Sequence, residues 1–221
     1  MKIRKVWALA AALMIGCFGL TACGGGEEAT ADTSTEAYSV QLTTGNYTVG
    51  VDIPIGEYDV TVIDGGGNVF TNDFGDNGID ATMGIDDGSG LYEESFRNLI
   101  LEKDQILTVS GPLTIELKSE AAQTKNITPR EAEGKECTLE GGNFTAGEDF
   151  EAGVYDIKVL SGNGNVSSDN MYEGGLNSAM GVDTSWDVYE QEFKNCALPE
   201  GTVLTISGVT VQLTPSASES E

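Results

Sequence analysis

The sequence predicts an all-β protein built from two tandem, small β-sandwich domains, of which a jelly roll is one arrangement. The first observation is an internal repeat: residues 45–111 recur as residues 142–208, at a constant offset of 97 without a gap, and 26 of the 67 aligned pairs are identical. The second is that short runs rich in β-branched and aromatic residues are bounded by Gly, Asp and Asn, as is typical of strands and turns. The third is that no run shows helical periodicity of useful length. The candidate strands of the first module are 46–49, 57–63, 68–71, 91–98, 106–110 and 113–117. Six or so strands in about 75 residues favour a sandwich over a βαβ fold.

Residues 1–22 are predicted to be a targeting segment. Three basic residues lie within the first five positions, and the apolar run that follows is too short to span a bilayer comfortably. The run ends in Leu20-Thr21-Ala22-Cys23, which resembles the bacterial lipobox. The resemblance implies cleavage before Cys23 and lipid attachment to its thiol, so Cys23 is expected to anchor the mature chain at the extracytoplasmic face of the cell membrane. The alternative is an ordinary secretory peptide.

The rest of the chain divides into five predicted segments. The segments between the repeats and at the ends are polar and lack large apolar runs, as disordered connections do. The segments are a lipidated cysteine with a disordered tether at 23–37, β module 1 at 38–118, a linker at 119–136, β module 2 at 137–214 and an acidic tail at 215–221.

Comparison of the two repeats predicts which positions serve the fold. Identical glycines such as Gly65 and Gly67 are predicted to lie in turns. Apolar residues present in both repeats are predicted to form the cores. These pairs are Val62 and Val159, Val69 and Val166, Tyr92 and Tyr189, Phe96 and Phe193, and Leu107 and Leu204.

The stretch 49–58 predicts a sharp corner before a strand. Pro54 restricts φ, Gly56 permits a tight turn, and Asp52 is placed to accept hydrogen bonds from nearby backbone amides. The pattern V-G-x-D-I-P-x-G-E-Y resembles modules of secreted and lipid-anchored proteins of Gram-positive bacteria. That resemblance implies a small extracellular β domain and no particular activity. The second repeat retains only part of the pattern, including Asp149 and Tyr155.

Charge and composition exclude several classes of function. The formal net charge is −25, and the sequence contains no histidine. The acidic surface repels nucleic acid, and the lack of histidine excludes Ser-His-Asp and Cys-His catalysis as well as His-ligated metals. The acids are too many and too scattered to nominate a catalytic pair, so we expect a non-enzymatic protein without a cofactor. Glu93 with Arg97, and Glu190 with Lys194, are predicted to form surface charge pairs.

Loops in which the two repeats diverge are the predicted ligand-contact regions. Aromatic and methionine side chains there are expected to form a contact patch, or alternatively to fold back over a small core. The candidates are Phe70, Phe74, Met171, Tyr172 and Trp186. No metal site is predicted. The acidic loop offers only weak Ca²⁺ candidates, Asp73, Asp76 and Asp80, because no EF-hand frame fits them.

Cys137 and Cys196 remain after processing and lipidation, and they align with the apolar residues Val40 and Leu99. Both cysteines are therefore expected to face the core of the second module, either as a structural disulfide or as two buried thiols. Of these two arrangements, the exported location favours the disulfide.

The function predicted from these observations is non-enzymatic binding of an extracellular glycan, peptide or protein by a lipid-anchored surface protein. The alternative is a structural or spacer component of the cell envelope, and a carboxylate-based hydrolase is less favoured.

Overall fold

The computed structural model describes residues 33–73, 77–86, 88–183, 185 and 188–218. In these residues the predicted all-β class is confirmed: thirteen strands and two single-turn 3₁₀ helices are present. Cys23, Phe74, Asp76 and Trp186 lie outside the described residues. No helix in the described part of the chain has the length and apolar character to cross a membrane.

The strands of the two repeats, here called the first copy (45–111) and the second copy (142–208), correspond closely. Strands β2 to β5 begin and end 97 residues before β9 to β12. The first half of the chain contains β1 (Glu36–Leu42), β2 (Gly45–Thr48), β3 (Gly56–Thr71), β4 (Asp80–Gly84), β5 (Ser95–Leu101), β6 (Ile106–Ser110), β7 (Leu113–Ala122) and a 3₁₀ turn (Thr124–Asn126). The second half contains β8 (Cys137–Leu139), β9 (Gly142–Thr145), β10 (Gly153–Ser168), a 3₁₀ turn (Met171–Glu173), β11 (Asn177–Gly181), β12 (Glu192–Leu198) and β13 (Val203–Pro215).

All thirteen strands belong to one mixed, hydrogen-bonded sheet whose main path is β1-β7-β3-β6-β2-β12-β10-β13-β8. In each half, one long strand pairs with several others: β3 in the first half and β10 in the second. The first part of β3 pairs with β5 and β7, and its last part pairs with β4 and β6. Strand β10 likewise pairs with β11, β12 and β13. The halves join through a parallel contact between β2 and β12 at Gly45 and Lys194.

Each half of the chain has its own hydrophobic cluster. Val69 and Leu107 are fully buried in the first cluster, and Val166 and Leu204 are fully buried in the second. Phe193 is buried, whereas its counterpart Phe96 packs against the first cluster while partly buried. These predicted core positions are confirmed.

The prediction that Tyr92 belongs to the core is wrong, because 36% of its surface is exposed. Its ring lies across the backbone of Gly66 and Gly84, where a Cβ atom would come within 3.1 Å and 2.6 Å of it. Because the two glycines have no side chains, the Tyr92 ring can pack directly against the backbone on the surface of the sheet.

Gly65 and Gly67 are not in a turn. They lie inside the 16-residue strand β3, which the sequence predicted as two shorter strands. A Cβ atom at Gly65 would be 1.7 Å from the carbonyl oxygen of Pro112, and one at Gly67 would be 1.9 Å from that of Ser110. These glycines are required because the β6–β7 connection approaches the β3 backbone closely.

The predicted corner before β3 is confirmed. The Asp52 carboxylate accepts a hydrogen bond from the Thr48 amide at 2.9 Å, and Asp149 accepts one from the Thr145 amide at 2.7 Å. The Tyr58 hydroxyl then donates to the Pro54 carbonyl oxygen at 2.7 Å. Its counterpart Tyr155 makes the same contact four residues back at 2.7 Å. In both copies, therefore, a tyrosine hydroxyl holds in place the chain segment that immediately precedes the long strand.

Strand ends differ from the predicted segment boundaries. Strand β1 begins at Glu36, inside the predicted tether, and β7 continues to Ala122, inside the predicted linker. The two extensions pair with each other, since Glu36 lies opposite Ala122. In the predicted tail, Ser216 is buried and its amide donates to the Val154 carbonyl oxygen at 2.8 Å.

Candidate functional site

A groove of about 360 Å³ lies between the two copies. It falls within the usual size range of small-molecule sites, about 300–1,000 Å³. Its lining combines aromatic and aliphatic surface with amide, hydroxyl and carboxylate groups. From the first copy these residues are Asn68, Phe70, Asp80, Thr108 and Ser110; from the second they are Met171, Tyr172, Gly175, Leu176, Asn177 and Phe193.

Pairing of β4, β3 and β6 builds the first wall of the groove. Phe70 lies directly opposite Asp80 on one side and Thr108 on the other. Directly opposed residues share a face of the sheet, and Val69 points the other way into the core. The three side chains therefore form one row on the outer face.

The second wall begins with the 3₁₀ turn Met171–Glu173, which ends at Gly174 in the left-handed conformation, φ 90°. Asn170 supports this turn: its side-chain nitrogen donates to the Ala197 carbonyl oxygen at 2.9 Å. Tyr172 is 58% exposed, so a ligand in the groove can reach its ring.

Asn46 joins the two walls through hydrogen bonds to residues of both. Its side-chain nitrogen donates to the carbonyl oxygens of Gly174 and Gly175 at 2.6 Å and 2.8 Å, and its side-chain oxygen accepts from the Thr108 hydroxyl at 2.8 Å. Asn46 is only 3% exposed. Nearby, the Lys194 amide donates to the Thr44 carbonyl oxygen at 3.1 Å.

Glu190 is a second link between the copies. Its carboxylate accepts hydrogen bonds from the Gly111 amide of the first copy and from the Ser178 hydroxyl of the second. Glu190 is 6% exposed, so the predicted surface charge pair with Lys194 is wrong at this residue: the side chain turns into the contact between copies. Burial raises the pKa of the Glu190 carboxyl, and its hydrogen bonds with Ser178 and Gly111 oppose that shift.

Arg130, in the predicted linker, connects both copies and the C-terminal segment. Its guanidinium group pairs with the Asp52 carboxylate at 2.6 Å and donates to the Asn195 side-chain oxygen at 2.9 Å. The Arg130 amide donates to the Ser218 hydroxyl at 2.7 Å. The Arg130 and Asp52 side chains are only 14% and 6% exposed, so this connection is largely shielded from water.

The structure brings together four of the predicted site residues. Phe70, Met171, Tyr172 and Asp80 all line the groove. Asp73 is exposed and is not among the groove residues. Across the described residues, no group of three or more potential metal ligands is found.

Cys137 and Cys196 are free thiols in the structure, so the favoured disulfide is not formed. The physical reason lies in the sheet order: Cys196 is on β12, Cys137 is on β8, and β10 and β13 run between them. The aligned residues Val40 and Leu99 are separated in the same way by β7 and β3. Burial raises the pKa of both thiols, most fully for the buried Cys196.

Asn46, Asn68 and Glu190 were missed as site residues. Each is identical to its counterpart in the other copy, and a polar residue retained within predicted strands was the signal available. A scan against protein-family models gives no match to this chain, and a search of curated proteins gives none either.

Proposed function

We propose that this chain is a non-enzymatic lipoprotein of the extracytoplasmic face, whose two β-sandwich modules bind an extracellular ligand in the groove between them. The observation that carries the proposal is the convergence of predicted contact residues from both copies, Phe70, Met171 and Tyr172, on one groove. These residues are up to 102 positions apart in the chain.

Among glycan, peptide and protein ligands, the lining supports a glycan of one or two sugar rings. The exposed Tyr172 ring can stack on a sugar face, since an aromatic side chain offers an apolar surface with a polar tip. The side-chain amides of Asn68 and Asn177 carry both donors and acceptors. The Thr108 hydroxyl donates its hydrogen to Asn46, so it offers a ligand an acceptor. A dense arrangement of such groups matches the hydroxyls of a sugar.

A glycan array probed with residues 24–221 tests this proposal. We expect binding to a restricted set of glycans, weakened about tenfold or more by Tyr172→Ala, because the stacking surface is lost. Tyr92→Ala removes another partly exposed tyrosine outside the groove, so it should leave binding unchanged. Binding that is insensitive to Tyr172→Ala, or binding only to a peptide array, contradicts the glycan assignment.

The anchor is tested separately. Cys23→Ala should block incorporation of a fatty-acid probe and leave unprocessed precursor or released protein in cell fractionation. Cys17→Ala is the matched control, because Cys17 lies within the segment that is removed. Continued lipid labelling of Cys23→Ala would show that the anchor lies elsewhere.

The second candidate function is a rigid spacer of the envelope. The observation that favours it is the Arg130 connection, which ties both copies and the C-terminal segment together. A spacer role predicts no ligand on the array and a phenotype that depends on the length of the protein.

A further inference from the structure

The contact between the two copies joins two different faces. The first copy contributes the face that carries Asn46, Thr108 and Gly111, here called the asparagine face. The second copy contributes the face that carries Glu190 and Lys194, here called the glutamate face. A contact between unlike faces of repeated units is heterologous, so each unit retains one unused face.

The unused asparagine face of the second copy is already formed. The Thr205 hydroxyl donates to the Asn143 side-chain oxygen at 2.9 Å, as the Thr108 hydroxyl does to Asn46 at 2.8 Å. Asn143 and Thr205 are exposed, whereas Asn46 and Thr108 are buried. The same pair of side chains is therefore solvated in one copy and covered in the other.

On the unused glutamate face of the first copy, the backbone around Glu93 matches the backbone around Glu190. The Glu93 amide donates to the Thr82 carbonyl oxygen at 3.0 Å, as the Glu190 amide does to Ala179 at 3.0 Å. Glu93 is exposed, whereas Glu190 is buried. Arg97 replaces Lys194 at the end of this face, so the cationic position is also retained.

We propose that a second copy of this chain docks here, with the glutamate face of one molecule on the asparagine face of the next. In this head-to-tail contact the Glu93 carboxylate accepts from the Gly208 amide. The Asn143 side chain donates to the carbonyl oxygens of Asn77 and Gly78, as Asn46 does to Gly174 and Gly175 within one chain. Because each molecule again leaves one face of each kind free, the assembly grows as an open chain unless the rotation closes a ring.

The intermolecular contact is weaker than the internal one. Ala81 replaces Ser178 and Gly141 replaces Thr44, so hydroxyl groups that donate hydrogen bonds at or beside the internal contact are lacking in the new one. No covalent linker and no Arg130 connection hold the two molecules together. Both partners carry a net charge of −25, so added salt should strengthen association by screening their repulsion.

The test is sedimentation velocity of the full chain in a mild detergent, with two variants that each block one face. Asn143→Asp places a carboxylate against two carbonyl oxygens, and Glu93→Lys places an ammonium group against an amide donor. Wild type should associate as its concentration rises toward about 1 mM. Each variant alone should associate about tenfold or more weakly.

An equimolar mixture of the two variants should form a 1:1 complex that grows no further, because each variant retains the face that the other lacks. This complementation also shows that both variants are folded. Glu120→Arg, at an exposed residue on neither face, should behave as wild type. The proposal is overturned if wild type stays monomeric, if either variant alone associates as wild type does, or if the mixture forms no complex.

Discussion

At the scale of single residues, Glu93 and Glu190 show how position alone changes the chemistry of one side chain. They are equivalent by the repeat, but Glu190 is buried between the copies and Glu93 is exposed. Burial disfavours the charged form of a carboxyl group. The pKa of Glu190 is accordingly raised above its ordinary value of 4.5.

This shift predicts a pH dependence of stability. Between the ordinary value of 4.5 and the raised pKa, the folded state binds more protons at Glu190 than the unfolded state does, so the free energy of unfolding falls as pH rises through that window. Glu190→Gln cannot ionise. Its free energy of unfolding, relative to wild type, should therefore increase across the window and then remain constant.

Urea unfolding at a series of pH values measures this difference. Glu93→Gln is the matched control, because it removes the same charge at the equivalent exposed position. The physical account of Glu190 is wrong if both variants give the same pH profile, or if Glu190→Gln loses stability relative to wild type as pH rises.

The sequence identifies site residues that are recognisable by their own side-chain chemistry, and it does not identify those whose role depends on what surrounds them in the fold. Phe70, Met171 and Tyr172 were identified because aromatic and methionine side chains stand out in polar, divergent loops. Glu190 was missed because a glutamate four residues before a lysine is the usual pattern of a solvated strand face. In the folded chain its carboxylate instead contacts Gly111, 79 residues away, and Ser178, and it is buried.

At the scale of elements, close approach of neighbouring backbone explains Gly67 and Gly164 of the long strands, whereas Gly65 and Gly162 also have positive φ. A Cβ atom at Gly164 of β10 would be 1.8 Å from the Ser207 carbonyl oxygen. The equivalent Gly67 of β3 has the same relation to Ser110. The close approach lets one strand pass from one set of partners to another without interruption.

We therefore predict that Gly164→Ala lowers the free energy of unfolding by about 2–3 kcal/mol, since neighbouring backbone has to move. Gly141→Ala is the control, because a Cβ atom there lies at an ordinary distance of 3.7 Å from the nearest backbone oxygen. It should change stability by less than about 0.5 kcal/mol. Urea unfolding followed by circular dichroism measures both, and equal effects would show that close approach is not the reason for the glycine.

Strands that the sequence predicts and strands that it does not predict differ in composition. Strand β6 is predicted with its observed bounds, Ile106–Ser110, because β-branched and apolar residues dominate it and Gly111 follows. Strand β4, Asp80–Gly84, was missed since its short, small side chains give no periodic signal. Its pairing with β3 is what makes it a strand.

At the scale of the whole molecule, the repeat predicted the all-β class and matching strand sets, but not the contact between copies. Two separate clusters of buried residues follow from the shared apolar positions. The contact cannot be read from the repeat, because Asn46 and Asn143 are identical and lie in equivalent strands. Which of the two asparagines is buried depends on how the second copy packs against the first.

This pair supplies the last prediction. Asn46→Ala removes the donor to the carbonyl oxygens of Gly174 and Gly175 and the acceptor for the Thr108 hydroxyl. Gly174 keeps a second donor, the Ala197 amide, whereas the Gly175 oxygen loses the Asn46 donor. Leaving buried polar groups without partners should lower the free energy of unfolding by about 2–3 kcal/mol.

Asn143→Ala is the matched control, because it deletes the same side chain at a position where that side chain is exposed and accepts a hydrogen bond from the Thr205 hydroxyl at 2.9 Å. It should change stability by less than about 0.5 kcal/mol. Both variants are compared with wild type by urea unfolding at a protein concentration low enough to keep the molecules apart. A large loss for Asn46→Ala with none for Asn143→Ala means that the copies stabilise each other through this contact. Equal losses in the free energy of unfolding would mean that the asparagine stabilises only the copy to which it belongs, and that Asn46 does not hold the two walls of the groove together.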